Sequence, residues 1–515
     1  HQLSIHDLVW FFSLYQEKSK KAQVLLDRII NPLLDRLRTI DGLGLWYLTL
    51  LRWVKTLSGW EVQRLRLAKQ LGNKLTGILY VLDEPTIGLD NVEIQRMITA
   101  IRQLQKMWNS IVVVEHHDEF IAASDWVIEV WPGAGDFGGE IVFNGPIEDF
   151  LNSDTLTAQY MNGQKKNEII FEHEVQPRSV RIKKASKYNL KWVNVEIPLW
   201  GFTIITGGSG AGKTTLMYST LYRFLHEKEK YIQSYVRLHL LKQWMSWQEI
   251  ISAPIMKREE YQHLANLSRQ AFYDELAVET ILGYEDIKNI VYVDQSSIGK
   301  TPRSCPATFI GVFDDIRKLY AGVKDSKYLW FTTGHFSFNS SKGACPECKW
   351  YGYKKVELQF LPDTYIPCDL CKGNRYKPEI LDIKWREKSI SAVLDMYVKD
   401  ALLFFEEMDH IHEQLVLMNE IGLGYLKMWQ PAHTLSGGES QRLKLVKNLL
   451  KSFKWHTMYF LDEPTVGLHP DDIGRLLKVI KRFLDNGDSI VMIEHDQHLL
   501  KFADKVIVLQ DGKIV

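Results

Sequence analysis

The chain has 515 residues, too many for one compact core and enough for two or three domains. Its 63 Lys and Arg balance 63 Asp and Glu, and 45% hydrophobic with 24% charged residues is ordinary for a globular protein. Net charge is therefore silent about a nucleic-acid partner, any basic surface must be local, and no run of about 18 uncharged apolar residues offers a membrane helix.

In chain order, residues 1–56 read as amphipathic helical text. No signal-peptide pattern opens the chain. His1 runs straight into LSIHDLVWFFSLY, which reads as the middle of something, so a missing N-terminal portion is expected. Four later stretches recur in the same order and spacing. GLWYL (44–48) matches GLGYL (422–426), and LSGWE (57–61) matches LSGGE (435–439). LYVLDEPTIGLD (79–90) matches MYFLDEPTVGLH (458–469), and SIVVVEHHDEF (110–120) matches SIVMIEHDQHL (489–499). This is a duplicated module in tandem. Residues 1–160 form the first copy, the polar stretch 161–185 a connector, and 186–515 the second copy.

One element occurs once. ITGGSGAGKTTL (205–216) contains G-x-x-x-x-G-K-[ST], follows the apolar run FTII and precedes a helical pattern. That context predicts a phosphate loop. Gly207, Gly208, Ser209, Gly210, Ala211 and Gly212 would turn backbone N–H groups onto phosphate oxygens, with the helix N-terminus behind them. Lys213 would reach the terminal phosphates, and Thr214, next to Thr215, would ligate Mg²⁺. The first copy starts too late to hold its own phosphate loop.

YVLDEP and YFLDEP are apolar runs ending in Asp-Glu, so a buried strand would deliver both carboxylates to its C-terminal end, where ligands bind in open α/β sheets. Asp462 is expected to hold Mg²⁺, Glu463 to polarise the attacking water, His495 to contact the γ-phosphate, and Gln295 to touch metal and water. Phosphoryl transfer needs mostly positioning and charge neutralisation, which this set supplies.

Cys345-x-x-Cys348 and Cys368-x-x-Cys371 are spaced for a Cys₄ Zn²⁺ site, and the lone Cys305 makes five cysteines. With no secretory signal they point to a reducing, cytoplasmic compartment. The text between the pairs alternates like a β-hairpin. Lys354, Lys355, Lys372 and Arg375 crowd it and are candidate DNA-phosphate contacts, with a solvated charged face as the plain alternative.

The ordered set of phosphate loop, LSGGE, Asp-Glu and His resembles the ATP-binding-cassette (ABC) ATPases. In that family two cassettes sandwich two ATP molecules, each site pairing one phosphate loop with the other cassette's signature. The resemblance implies that Gly207–Thr214, Asp462 and Glu463 face Ser58, Gly59, Trp60 and Glu61. The other site would hold Asp83, Glu84, His116, Ser436, Gly437 and Gly438 but no phosphate loop from this chain.

More narrowly, VDQSSIGKTPRSCPATFIGVFDDIR (293–317), HFSFNSSKGACPEC (335–348), LQFLPDTYIPCDLCKGNRY (358–376) and LGYLKMWQPAHTLSGGESQR (423–442) resemble the UvrA family of bacterial excision repair. The resemblance implies an α/β chain of tandem ABC-type (P-loop NTPase) cassettes with helical signature subdomains and an inserted zinc-binding hairpin at about 340–376. It further implies ATP-modulated recognition of lesions in double-stranded DNA, a homodimer, and loading of UvrB. The chain departs from the family in lacking the first phosphate loop, the UvrB-binding region and its other zinc module, and 220–285 is longer than usual. It also stops at Val515 without the glycine-rich ending of the first copy, GAGDFGGEIV (133–142). UvrB binding and two-site cooperation are therefore in question. A paralogue in drug self-resistance and a non-catalytic DNA- and zinc-binding remnant are the competing readings.

One departure sits over the complete site. Trp60 stands where the second copy has Gly438, Trp46 faces Gly424, and Trp108 faces Gly487. By the resemblance, glycine is also expected at Trp131, Trp200, Trp350, Trp429 and Trp455. Drift would not choose one replacement so consistently. UGA is stop in the standard code, Trp in some codes and Gly in others, so a UGA-for-glycine gene translated as Trp gives this pattern. A decayed paralogue is the rival account, in which an indole at position 60 crowds the γ-phosphate.

Overall fold

The computed structural model describes residues 3–18, 26–54, 59–73, 76–89, 91–131, 138–167, 169, 171, 177–242, 258–294, 296–299, 304–356, 364–451 and 456–515. In the first half, helices α1 (Ile5–Lys18), α2 (Asn31–Ile40) and α3 (Gly59–Asn73) precede β1 (Leu79–Asp83), α4 (Asn91–Lys106) and β2 (Ser110–Val114). Strands β1 and β2 pair in parallel, Leu79 opposite Ser110 through Asp83 opposite Val114. An antiparallel pair, β3 (Trp126–Trp131) and β4 (Glu140–Pro146), follows.

The second half opens with an antiparallel layer of β5 (Ser179–Ala185), β6 (Val193–Pro198) and, later, β8 (Thr280–Leu282). Strand β7 (Phe202–Gly207) leads into the phosphate loop, a π-helical turn Thr215–Tyr222 and α5 (Arg223–Lys242), with α6 (Arg258–Leu276) packed beside it. After β9 (Asn289–Val293) come α7 (Val312–Gly322), the hairpin β10 (Tyr353–Val356) and β11 (Thr364–Pro367), and a ribbon of β12 (Lys384–Trp385) and β13 (Lys388–Ser389). The chain closes with α8 (Asp409–Glu420), α9 (Gly437–Leu449), β14 (Thr457–Asp462), α10 (Pro470–Asp485), β15 (Ser489–Ile493), β16 (Lys505–Gln510) and β17 (Lys513–Ile514).

The main sheet runs β17-β16-β7-β15-β14-β9, parallel except for the terminal β17. Every residue of β15, and all of β14 but Asp462, is buried, as β-branched and aromatic runs are when both faces of a parallel sheet are covered. Parallel pairing brings the ends of β7, β9, β14 and β15 to one edge, so the phosphate loop, Asp294, Asp462 and His495 converge there. Helix α10 starts on Pro470 at a position where no N–H is needed, and it buries Ile473, Leu476, Leu477, Ile480, Phe483 and Leu484 as one stripe on the sheet. This is an ABC-type α/β core with a helical signature subdomain.

The repeat is not equally covered. Met458, Phe460, Val491 and Ile493 are at most 1% exposed, packed with the β5–β6–β8 layer and the helix after the phosphate loop. Their counterparts Leu79, Val81, Val112 and Val114 are 49–67% exposed, with no such layer over them among the described residues. None of the described helices is long and apolar enough to cross a membrane.

Asp488, in the turn before β15, accepts the Thr457 N–H at 3.0 Å, and burial pushes its carboxyl up to about 6. A raised acid stabilises the fold below its unfolded value and loses that contribution as pH rises through about 6. The stability of wild type relative to Asp488→Asn is therefore expected to fall between pH 4 and 7, by at most about 3 kcal/mol. Paired thermal melts across that range check this.

Candidate nucleotide site and metal centre

Gly207 (φ 140°) ends β7 where a Cβ would stand 1.9 Å from the Leu509 carbonyl oxygen, so only glycine fits. Lys213 lies over the loop, its ammonium donating to the carbonyls of Gly207 and Gly208 at 2.6 and 2.9 Å. Across from it stands the first half. The Ser209 N–H donates to Glu93 at 3.3 Å, the Ser209 hydroxyl to Tyr47 at 3.4 Å, and Tyr47 in turn to Glu61 at 2.6 Å. Burial, then Glu61, pushes the Tyr47 phenol up to about 12. Glu61 also pairs with Arg52 at 3.4 Å. The loop of one half and the signature helix α3 of the other are thus joined within one chain. Gly59 opens that helix, while Ser58, Gln295 and the side chain at position 60 lie outside the described residues.

Tyr47 and Glu93 escaped sequence reasoning. A signal for Tyr47 existed: its repeat counterpart Tyr425 donates to Glu439 at 2.5 Å, the same Tyr–Glu spacing. Glu93 meets the loop only through the fold.

Asp462 and Glu463 end β14. Tyr292 donates to Asp462 at 3.1 Å, and Glu463 takes a left-handed turn, φ 46°. Burial pushes both carboxyls up, and Lys213 opposes it. His495 lies 3.9 Å from Glu463, but burial, then Lys213, pulls the imidazole down to about 3, so it is neutral and this is no ion pair. Both its ring nitrogens are buried without a partner among the described residues. Asp294, next to position 295, is gripped by Lys444, whose ammonium also takes the Asp294 carbonyl at 3.0 Å.

The matched set is built alike. Asp83 ends β1, Glu84 repeats the left-handed turn at φ 43°, and His116 lies 3.5 Å from Glu84, whose hydrogen bond raises the imidazole. Ser436 caps α9 by a reciprocal pair, accepting the Glu439 N–H at 3.1 Å while its own N–H reaches Glu439 at 2.7 Å. Gly437 starts that helix, and a Cβ on Gly438 would lie 3.2 Å from the Val466 carbonyl oxygen.

The four cysteine sulfurs lie within 4.8 Å of one another and all four residues are buried. Four thiols with no disulfide among them fit a tetrahedral Zn²⁺. The Gly352 N–H donates to Cys348 at 3.2 Å, as a thiolate ligand favours. Strands β10 and β11 form the expected hairpin, Tyr353 opposite Pro367. Lys354 is held by Glu347 at 2.6 Å and Asp369 at 2.9 Å. Arg375 is half-buried, 4.3 Å over the Trp429 ring and 3.5 Å from Asp395. Lys372 is exposed, and the side chain of Lys355 lies outside the described residues.

The tryptophans divide. Trp108 (φ 61°), Trp200 (φ 56°) and Trp350 (φ 90°) sit in the left-handed region, and Gly487, the repeat counterpart of Trp108, has φ 78°. Trp192 (φ 55°) and Trp330 (φ 58°) join them, two positions that the sequence did not single out. A bulky side chain there costs about 1–2 kcal/mol each. Trp108, Trp192 and Trp330 are moreover 87%, 69% and 88% exposed, so their indoles recover little by burial. Trp46 (φ −57°) has ordinary backbone, and neither Trp131 nor Trp429 is left-handed. Trp429 packs edge-on against Phe338 at 4.2 Å. Trp455 lies outside the described residues.

No family model matches the chain. It is 40% identical over 493 residues to the UvrABC system protein A of Clostridium tetani, covering 95% of this chain and 48% of that protein. It is 41% identical over 510 residues to its namesake in Bacillus subtilis, covering 99% and 49%. The crystal structure of UvrA2 from Deinococcus radiodurans superposes with a TM-score of 0.83 at 34% identity, covering 98% of this chain and 58% of that one. The chain spans about half the length of the curated relatives it matches. By sequence along nearly its whole length and by fold, this chain is UvrA-like.

Proposed function

We propose that the chain binds and hydrolyses ATP at the junction of its halves and couples this to recognition of damaged double-stranded DNA in excision repair. The observation that carries the reading is the contact of Ser209, in the phosphate loop, with Glu93 and with Tyr47, which is bonded to Glu61 of the opposite signature helix. The names of its relatives support repair over a drug-resistance role or an inactive remnant.

In this reading the N–H groups of Gly208–Thr214 and the Lys213 ammonium hold the phosphates. Thr214 and Asp462 would hold Mg²⁺, which supplies charge neutralisation on the phosphate oxygens. Glu463, with its raised carboxyl, orients the attacking water and takes its proton. Neutral His495 would donate to the γ-phosphate, and Gln295 would touch metal and water. We read position 60, the repeat counterpart of Gly438, as glycine in the native protein, with its N–H closing the site from the signature side. Asp83, Glu84, His116, Ser436, Gly437 and Gly438 serve a second site that needs a phosphate loop from elsewhere.

Cys345, Cys348, Cys368 and Cys371 would hold Zn²⁺, which would fix the hairpin, and Lys355 and Lys372 are the candidate contacts to DNA phosphates. Lys354 and Arg375 shape the module, since their charges already have partners. A homodimer and UvrB follow from the family alone.

The test is ATPase activity with and without lesion-bearing duplex: stimulation by the lesion and a steep salt dependence of binding are expected. Equal response to intact and damaged duplex overturns the repair reading. Cys368→Ser is expected to lose the one bound zinc and lower Tm by several degrees, read by metal analysis and thermal melts; retention of zinc refutes the assignment.

A further inference from the structure

The two halves meet around a cavity of ≈ 190 Å³ whose walls include Glu84, His116, Glu463 and His495. Each half sends a turn across to the other's carboxylate. A Cβ on Gly88 would stand 3.6 Å from Glu463, and one on Gly467 3.0 Å from Glu84. Behind each turn, at matched places in the repeat, stands a glutamate with no part in the nucleotide chemistry described above. Glu494, buried at 3% exposure, accepts the Thr465 N–H at 3.3 Å on one oxygen. Its other oxygen accepts the N–H groups of His495 and Asp496 at 2.8 and 3.3 Å. Glu115 does the same: one oxygen takes the Thr86 N–H at 3.0 Å and its hydroxyl, the other the N–H groups of His116 and His117 at 2.7 and 3.1 Å.

Each carboxylate therefore bolts two segments together. One is the turn that touches the opposite half's glutamate; the other carries the histidine beside its own half's glutamate. Displacing either segment displaces the other, because three backbone donors converge on one rigid group. The His498–Asp118 pair, 3.5 Å apart, spans the same junction.

We propose that Glu115 and Glu494 are positioning residues that couple the two carboxylate centres, each tying its own half's histidine to the turn that sets the geometry of the other half's glutamate. The kinetic part rests on the ATP reading. Glu115 is the informative position, because it lies in the first half while the complete site's water-activating Glu463 lies in the second.

The test uses the full chain, with glycine at position 60, as Glu115→Gln, Glu494→Gln and, as a milder change, Thr86→Val, which removes only the hydroxyl bond to Glu115. Glu115→Gln is expected to lower kcat about tenfold with KM for ATP within about twofold, and Thr86→Val to act the same way more weakly. Hydrogen exchange reads the bolt without hydrolysis. Amides at Thr86 and at His116–His117 should open together in Glu115→Gln, and those at Thr465 and at His495–Asp496 together in Glu494→Gln. Unchanged kcat in Glu115→Gln with only a lower Tm, or exchange rising in one segment alone, overturns the proposal. If the parent chain does not turn over ATP, the ATP reading fails and the exchange data decide the coupling by themselves.

Discussion

Glycine at position 60 is expected to raise kcat for ATP at least about a hundredfold over the tryptophan form. The matched position in the second copy is Gly438, whose helix N-terminus is held by the Ser436–Glu439 reciprocal cap. A signature helix presents its first backbone N–H groups to the γ-phosphate, and losing one preorganised donor costs about 10²–10³ in rate. An indole at that place both removes the close approach and occupies the phosphate's volume. The change should act on kcat more than on binding, because Gly207–Thr214 in the other half is untouched. Single-turnover hydrolysis by chains carrying Trp60 and Trp60→Gly, with ATP affinity measured separately, checks it. Equal rates would mean that the signature of the first half does not take part.

Glu463→Gln is expected to hold ATP with little change and to hydrolyse it about 10²–10⁴-fold more slowly, the range of a lost general base. The carboxyl lies beside His495 and near the loop, and burial, then Asp462, raises its proton affinity, which suits a group that takes a proton from water near neutral pH. Glu84→Gln is the control. It removes the matched carboxylate, which has no phosphate loop of this chain opposite, and should cost far less. If the two variants were equally slow, the assignment of the complete site to Glu463 would be wrong.

What the sequence revealed was whatever is local. The phosphate loop, the Asp-Glu strand ends and the Cys pairs each need fixed spacing within a few residues, and each stands where the spacing put it. The duplication was legible because the same short strings recur in order. Contacts between halves were not legible. Glu93 reaches Ser209 across 116 positions, and no periodicity announces that. Charge alone did not show the partners of the basic candidates: the fold sets Glu347 and Asp369 beside Lys354, and Asp395 beside Arg375. The tryptophans show the reverse case. The repeat marked Trp108 as a glycine position and the backbone agrees, whereas Trp192 and Trp330 became visible only through φ. Trp46 was marked by the same repeat, and its ordinary φ gives no support there.

The most direct measurement is peptide mass spectrometry of the protein purified from its native source, reading residues 56–64. Glycine at position 60 is the result predicted, and with it an intact signature facing Gly207–Thr214 and a working ATP site. Tryptophan at position 60 would contradict the account, because its indole would take the space that the γ-phosphate needs to reach the signature helix on which hydrolysis depends.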